Sequence, residues 1–158
     1  MVALSLLFAL TGCGGESAPS EEPEPEEPAT IEVSDDVGKK PTIEIPEGEP
    51  PTALETEDIV TGKGPEAKAG DTLEVNYVGV LYATGEEFDS SFERKPFRFQ
   101  LGRGMVIPGW DQGLEGLQEG GRRLLEIPPE LAYGSQGAPP VIGPDEALVF
   151  VVDLVKIR

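Results

Sequence analysis

The sequence predicts one α+β domain in which a five- to six-stranded antiparallel sheet wraps around a single short helix. Several short runs alternate apolar and polar residues, which is the pattern of β-strands. The 20 glycines and 16 prolines divide the rest of the chain into short segments. Only one stretch repeats apolar residues at helical spacing. Since 158 residues suffice for one core but not for two ordinary ones, we expect a single domain.

The first strands of the domain flank a proline-rich bend. The run "KKPTIEIPEGEPPTALETEDIV" predicts an edge strand, the bend and a second strand from about Leu54 to Val60. The next run, "TLEVNYVGVLY", has apolar residues on both faces, which predicts a central strand. One face of that strand carries Leu73, Val75, Tyr77, Gly79 and Leu81.

Three further strands follow from the same alternation. The run "PFRFQL" places Phe97, Phe99 and Leu101 on one face, whereas Arg98 and Gln100 lie on the other. Another strand is predicted from Arg122 to Ile127, and the β-branched run "ALVFVVDLVKIR" predicts the last. From these strands the expected core residues are Phe97, Leu124, Leu148 and Val152.

The helix is predicted near the only tryptophan. Leu114 and Leu117 follow Trp110 at i+4 and i+7, which gives one apolar face over two turns. The pair Gly120 and Gly121 is expected to end this helix. On this pattern alone Trp110 is more readily a core anchor than part of a binding site, because a large indole is usually highly buried.

Composition excludes several classes of function. The net charge of −18 argues against a nucleic-acid partner, because phosphate binding depends on clusters of Lys and Arg. The chain contains no histidine and one cysteine, which excludes Ser-His and Cys-His catalysis and the usual zinc sites. We therefore expect no metal and no cofactor. A hydrolase with paired carboxylates has no support beyond the abundance of acid.

The amino terminus has the pattern of a lipoprotein signal. Residues 1–12 form an apolar run of the length of a secretory signal, too short to span a bilayer. The tetrapeptide "LTGC" at its end resembles the lipobox of bacterial lipoproteins and implies lipidation at Cys13. The alternative is an ordinary signal peptide with an incidental free thiol. The expected location is extracytoplasmic, with the membrane reached through the lipid anchor only.

Residues 13–40 are predicted to form a disordered tether. This segment begins "CGGESAPSEEPEPEEPAT", which is rich in Glu and Pro and has little to bury. Between residues 14 and 60 there are 15 acidic and 2 basic side chains, against 15 and 10 in residues 61–158. The folded domain is therefore expected to occupy residues 41–158.

Five segments of the domain resemble one enzyme family in order and spacing. They are "NYVGVL", "FDSSFERKPFRFQLG", "VIPGWDQGL", "GGRRLLEIPPELAYG" and "ALVFVVDLVKI". Together they are similar to the FKBP-type peptidyl-prolyl cis/trans isomerases from about Ile59 to Arg158. The resemblance implies an FKBP-like fold, proline-containing polypeptides and macrolide inhibitors as partners, no cofactor and a monomeric domain.

The resemblance also implies a set of site residues. By position it assigns catalytic roles to Asp89, Tyr133 and Tyr77. It assigns substrate binding to Phe88, Phe99, Val106, Ile107, Trp110, Ile142 and Phe150. Trp110 would form the base of the pocket under the substrate's proline ring. From its sequence neighbours alone, Asp89 is expected to cap a local turn, and both roles are compatible.

Such residue types suit rotation about an X-Pro bond, because no covalent bond changes and no nucleophile is needed. An aromatic, water-poor pocket favours the less dipolar twisted amide over the planar one. The leading hypothesis is a tethered prolyl isomerase that acts on exported proteins. The alternative is a non-catalytic module that binds proline-containing segments, or a chaperone, on the same fold.

Overall fold

The computed structural model describes residues 30–158, which contain eight strands and one α-helix. The strands are β1 (Glu32–Val33), β2 (Ile43–Glu44), β3 (Glu55–Val60), β4 (Thr72–Leu81), β5 (Glu87–Ser90), β6 (Phe97–Gln100), β7 (Arg122–Ile127) and β8 (Leu148–Ile157). The helix, α1, spans Pro108–Gly113, and two short 3-10 turns cover Pro129–Leu131 and Gly134–Gln136. Within residues 30–158, no helix is long and apolar enough to cross a membrane.

Six strands form one antiparallel sheet in the order β3-β7-β8-β4-β5, with β6 also paired to β4. The long strand β4 divides its outer edge between two partners. Its first half pairs with β6 and its second half pairs with β5. This sheet and the short helix confirm the predicted α+β class.

The helix lies unusually close to the sheet because it presents two glycines to β7. A Cβ added to Gly109 would lie 2.5 Å from Ile127, and one added to Gly113 would lie 2.6 Å from Leu125. These two positions are one helical turn apart and therefore share a face. The close approach brings Trp110, which lies between them in sequence, against the sheet.

The helix is shorter than the two turns predicted from the leucine spacing. Leu114 and Leu117 are both buried, but the chain leaves the helix after Gly113. Gly116 adopts a left-handed backbone conformation, with φ of 79°, and its N–H donates to the carbonyl of Ala67 outside the helix. A left-handed residue cannot continue a right-handed helix, so the leucines are buried by a turn instead.

The sheet is covered on both faces by apolar residues. One core lies between α1 and the sheet and includes Leu73, Leu125 and Leu148. A second core on the opposite face contains Val78 and Val80 of β4, as expected for a central strand. Of the residues predicted to be core, Leu124, Leu148 and Val152 are confirmed as buried. Phe97 is 40% exposed, so that prediction was wrong.

The second core is closed by residues 30–45, which we call the N-terminal clasp. Its two strands, β1 and β2, pair with each other in a separate small sheet. Ile31 is buried, and the partly buried residues Val33, Ile43 and Ile45 pack beside it. The clasp thus covers the face of the main sheet that α1 leaves open.

The clasp corrects the predicted boundary between tether and domain. Arg122 and Asp153 form an ion pair whose side chains are 0% and 2% exposed. The guanidinium of Arg122 also donates to the carbonyls of Ser34 and Lys39, and the Gly38 N–H donates to the Asp153 carboxylate. A buried ion pair is stable only when its remaining polar atoms are bonded, and the clasp provides these bonds. Residues 30–40 therefore belong to the folded domain, not to the tether.

The remaining predictions for the amino terminus concern residues outside the described range. These are the signal at residues 1–12, the lipidation of Cys13 and the tether between residues 13 and 29.

Candidate active site

A cavity of about 190 Å³ opens beside α1, where the second half of β4 meets the two short edge strands. Every strand that borders it contributes an aromatic side chain, and the segment leading into α1 supplies the aliphatic ones. The lining residues are Tyr77, Phe88, Asp89, Phe97, Met105, Val106, Ile107, Trp110, Tyr133 and Phe150.

Trp110 is, together with Phe150, the most deeply buried aromatic residue in this lining. Its side chain is 4% exposed, and the rings of Tyr77 and Phe150 stand edge-on to it at centroid distances of 5.1 and 5.2 Å. Phe99 supports the indole at 5.6 Å. The indole Nε1 has no hydrogen-bond partner among residues 30–158, so ring packing alone holds it.

Gly79 makes room for the aromatic wall on the other side. It lies opposite Phe150 in the pairing of β4 with β8. A Cβ at this position would lie 2.7 Å from Phe150 and 2.7 Å from Phe88. Without the side chain, the Phe88 and Phe150 rings meet edge to face at 5.5 Å. The strand alternation shows that Gly79 faces inward but gives no sign of this packing role.

The polar part of the cavity is organised around Asp89. The Tyr77 hydroxyl donates to its Oδ2 at 2.5 Å, and the Ser90 N–H donates to its Oδ1 at 2.9 Å. Arg94 donates to the same carboxylate and to the carbonyl of Ser90. Asp89 therefore bonds within its own turn, as expected of a turn cap, and also bonds the hydroxyl of the cavity residue Tyr77.

Burial raises the pKa of Tyr77, and the hydrogen bond to Asp89 raises it further. The phenol therefore stays protonated at neutral pH and donates to the carboxylate. The arrangement fixes a negative charge next to an aromatic wall, at a point where the carboxylate is still partly exposed.

Two other groups lie where a ligand entering the cavity would meet them. Tyr133 is half-exposed at the rim, between the two 3-10 turns. Ile107 precedes α1 in an extended conformation, and its carbonyl accepts from the N–H groups of Trp110 and Asp111. These bonds fix the peptide unit that leads from Ile107 into the helix.

The structure brings eight of the ten predicted site residues into the cavity. Phe99 and Ile142 do not line it, because both side chains are buried in the core beneath. Phe97 and Met105 line it instead. Phe97 stacks on Phe99 at 5.6 Å and lies nearer the mouth. Both phenylalanines point to the same face of β6, so alternation could not tell which one reaches the opening.

A larger cavity of about 520 Å³ lies between the N-terminal clasp and strands β3 and β7. Its walls include Glu49, Glu55, Glu57 and Glu126, and Tyr82 is its only aromatic residue. It lacks the convergent aromatic rings of the smaller cavity. In the part of the chain from residue 30 onward, no cluster of His, Cys, Asp and Glu is placed to hold a metal ion.

Comparison with known proteins agrees with the geometry. The family model for FKBP-type peptidyl-prolyl cis-trans isomerases matches residues 64–155. The chain belongs to this FKBP family. The matched range contains the whole lining of the aromatic cavity.

Individual relatives support the same assignment. The chain is 54% identical over 121 residues to an FK506-binding protein of Streptomyces anulatus, a match that covers 75% of this chain and 98% of the relative. It is 48% identical over 120 residues to a probable FK506-binding protein of Corynebacterium glutamicum, with coverage of 75% and 98%. The crystal structure of AtFKBP13 superposes with a TM-score of 0.63 at 42% identity, over 69% of this chain and 96% of that one.

The protein is thus an FKBP-type peptidyl-prolyl cis-trans isomerase by family. The N-terminal clasp precedes the range that the family model matches. Residues 30–45 therefore form a segment outside the matched range that packs on the sheet face opposite α1.

Proposed function

We propose that the aromatic cavity of this FKBP domain holds the ring of a proline residue and favours the twisted form of the peptide bond before it. The observation that carries the proposal is the buried floor at Trp110 with Tyr77 and Phe150 edge-on around it. At about 190 Å³ the cavity is smaller than the roughly 300–1,000 Å³ of sites for drug-sized ligands. It suits a single ring, so a ligand larger than that would place one ring inside and leave the rest at the mouth.

The chemistry requires no reactive group. Rotation about a peptide bond costs about 18–20 kcal/mol because amide resonance must be broken. The twisted amide is less dipolar than the planar one, so a cavity of aromatic walls disfavours the planar ground state more. This agrees with a chain that has no histidine and no cluster of nucleophiles at the site.

The polar groups at the rim of the cavity orient the substrate peptide. Tyr133 and Ile107 line the cavity, and in this proposal the Tyr133 hydroxyl and the Ile107 N–H hold substrate carbonyls, which fixes the peptide around the rotating bond. Asp89 acts by its fixed charge and not as a proton donor to the substrate. Its carboxylate oxygens already accept from Tyr77, Ser90 and Arg94, so the charge is held in place before the substrate arrives.

A protease-coupled assay on a set of X-Pro peptides tests this proposal with the full chain. We expect faster cis-to-trans conversion than in buffer, with no added metal or nucleotide and no effect of EDTA. The exposed Val155, which lies outside the cavity, offers a matched control: Val155→Ala should retain the rate. Peptide binding without acceleration would favour the non-catalytic binding or chaperone module instead.

Macrolide binding at the same cavity is a related proposal. The relatives from Streptomyces anulatus and Corynebacterium glutamicum are named as an FK506-binding protein and a probable FK506-binding protein, and the family range contains every lining residue of the cavity. We expect FK506 to inhibit the isomerase competitively and to change Trp110 fluorescence. Inhibition that peptide cannot relieve would place the macrolide elsewhere.

Attachment of the domain to a membrane is a separate proposal that rests on the "LTGC" tetrapeptide. We propose that Cys13 is lipidated and that the monomeric domain works outside the cytoplasm on exported proteins, whose folding X-Pro isomerisation can limit. Wild-type protein should partition into detergent, since lipid chains add about 0.8 kcal/mol of membrane affinity per buried CH₂. Cys13→Ser should not partition. An unmodified Cys13 thiol in the mass spectrum of soluble wild-type protein would contradict lipidation.

A further inference from the structure

The exposed large apolar side chains of residues 30–158 are concentrated at the mouth of the aromatic cavity. They are Phe97, Met105, Tyr133, Val141 and Val155. The first three line the cavity itself. Met105 is the most exposed of the five, at 62%, and is the only methionine in the chain apart from Met1. The thioether of Met105 therefore forms part of the cavity mouth, which a bound peptide covers.

Met105 follows a turn that is held in place by hydrogen bonds to α1. The carboxylate of Asp111 in α1 accepts hydrogen bonds from the N–H groups of Gly102 and Gly104, at 2.8 and 2.9 Å. Both glycines have left-handed φ angles, 71° and 65°. The turn is thereby tied to the helix that carries Trp110. Its next residue is held at the cavity mouth with its side chain in solvent.

We propose that Met105 is an oxidation site that regulates this cavity, an inference that rests on the proposed function. The oxidant is a peroxide. A sulfur lone pair attacks one peroxide oxygen, the O–O bond breaks, the sulfur becomes a sulfoxide and hydrogen peroxide is reduced to water. The oxidation is reversible, because methionine sulfoxide reductases return the sulfoxide to the thioether with electrons from thiols. Exposure of the side chain leaves the sulfur accessible to such small reagents.

Oxidation at this position is expected to act on binding and not on the fold. In the free protein the sulfoxide oxygen is hydrated, since the side chain is already in solvent. A bound peptide covers the cavity mouth and removes that water. A polar group that loses its water without gaining a hydrogen-bond partner opposes binding. We therefore expect kcat/KM for prolyl peptides to fall roughly 3- to 10-fold, mainly through KM, while the melting temperature stays unchanged.

The test compares full-length wild type with Met105→Leu, before and after treatment with hydrogen peroxide. Both proteins keep Met1 and Cys13, so any effect at those residues is common to the two. Peptide mass spectrometry locates the added oxygen, and each treated protein is compared with its own untreated sample. The ratio of kcat/KM should fall in wild type, stay near one in Met105→Leu, and recover after treatment with the reductase.

A binding assay separates failure of this inference from failure of the proposed function. Fluorescence of Trp110, the single tryptophan, reports peptide affinity without any need for turnover. If untreated protein binds but does not isomerise, the proposed function fails, and a lower affinity of the oxidised protein still supports the inference. A saturating prolyl peptide should also slow the oxidation of Met105.

Three results would overturn the inference. The first is that Met105 resists peroxide under conditions that oxidise free methionine. The second is that its sulfoxide leaves both peptide affinity and kcat/KM unchanged. The third is an equal loss in Met105→Leu, which would place the effect at another residue.

Discussion

The Tyr77 hydroxyl donates to Oδ2 of Asp89 at 2.5 Å, which joins the central strand to the edge strand at the wall of the cavity. The bond links a ring that packs on Trp110 to a carboxylate that also accepts from Arg94. The aromatic wall of the cavity and the carboxylate of Asp89 are therefore joined directly by a hydrogen bond. Changes to either residue should affect the rate more than the fold.

Asp89→Ala should lower kcat/KM by roughly tenfold, equivalent to about 1.4 kcal/mol of transition-state stabilisation. The charge would be lost, and the Tyr77 hydroxyl would lose its acceptor. The side chain is partly exposed, so we expect only a modest change in melting temperature. Tyr77→Phe keeps the ring and removes only the hydroxyl, which isolates the share of the effect due to the hydrogen bond. An unfolded Asp89→Ala whose folded fraction is fully active would instead assign Asp89 to turn capping alone.

Trp110→Leu should weaken ligand binding while much of the turnover remains. Leucine alters the floor of the cavity but leaves the polar groups of the rim in place. The variant also loses packing against Tyr77 and Phe150, so we expect unfolding to require about 1–3 kcal/mol less free energy. Separate measurement of KM and kcat checks this, with denaturation recorded in parallel. A large loss of kcat at unchanged KM would contradict the role as a floor.

The main sheet was predictable because its strands alternate apolar and polar residues, and the cavity was predictable because five segments resemble one family. In the N-terminal clasp only an edge strand before the proline-rich bend was predicted, where β2 lies, and neither β1 nor the packing of residues 30–40 was. Its sequence is acidic and resembles a tether, and its polar backbone is satisfied by residues far along the chain: Ser34 bonds to Arg122, and Gly38 bonds to Asp153. No local pattern carries that information. The predicted helix is present, but its end was placed too late for a related reason: leucine spacing cannot reveal that the N–H of Gly116 bonds the carbonyl of Ala67 outside the helix.

Removal of the clasp tests its contribution to stability. Deletion of residues 1–40 removes Ile31 from the second core and takes three hydrogen bonds from the Arg122–Asp153 pair. We expect the free energy of unfolding to fall by about 3 kcal/mol or more, since bonds to charged groups contribute about 1.5–3 kcal/mol each and water replaces part of the loss. Deletion of residues 1–29 is the matched control. Equal urea midpoints for the two deletions would show that residues 30–40 add nothing to the fold.

Glu126 should make stability depend on pH in a direction opposite to that of a salt-bridged carboxylate. It lies on β7 directly across from Glu55 of β3, with Glu57 also nearby. Burial raises the pKa of Glu126 above its ordinary value of 4.5, and the charges of Glu55 and Glu57 raise it further. The folded state thus binds the proton more tightly than the unfolded state. The stabilisation from protonated Glu126 is complete below the unfolded pKa and is lost as pH rises through the folded one.

Glu126→Gln removes that titration and keeps the shape of the side chain. Its urea midpoint should match wild type near pH 4 and exceed it at pH 7, because only wild type then carries a charge at position 126, across from Glu55 and near Glu57. Glu130→Gln, at an exposed carboxyl in a 3-10 turn beyond β7, controls for the general loss of one negative charge. A difference between Glu126→Gln and wild type that stays constant from pH 4 to pH 7 would mean that Glu126 does not titrate in this range. A difference shared by Glu130→Gln would assign the effect to net charge and not to the contact between β3 and β7.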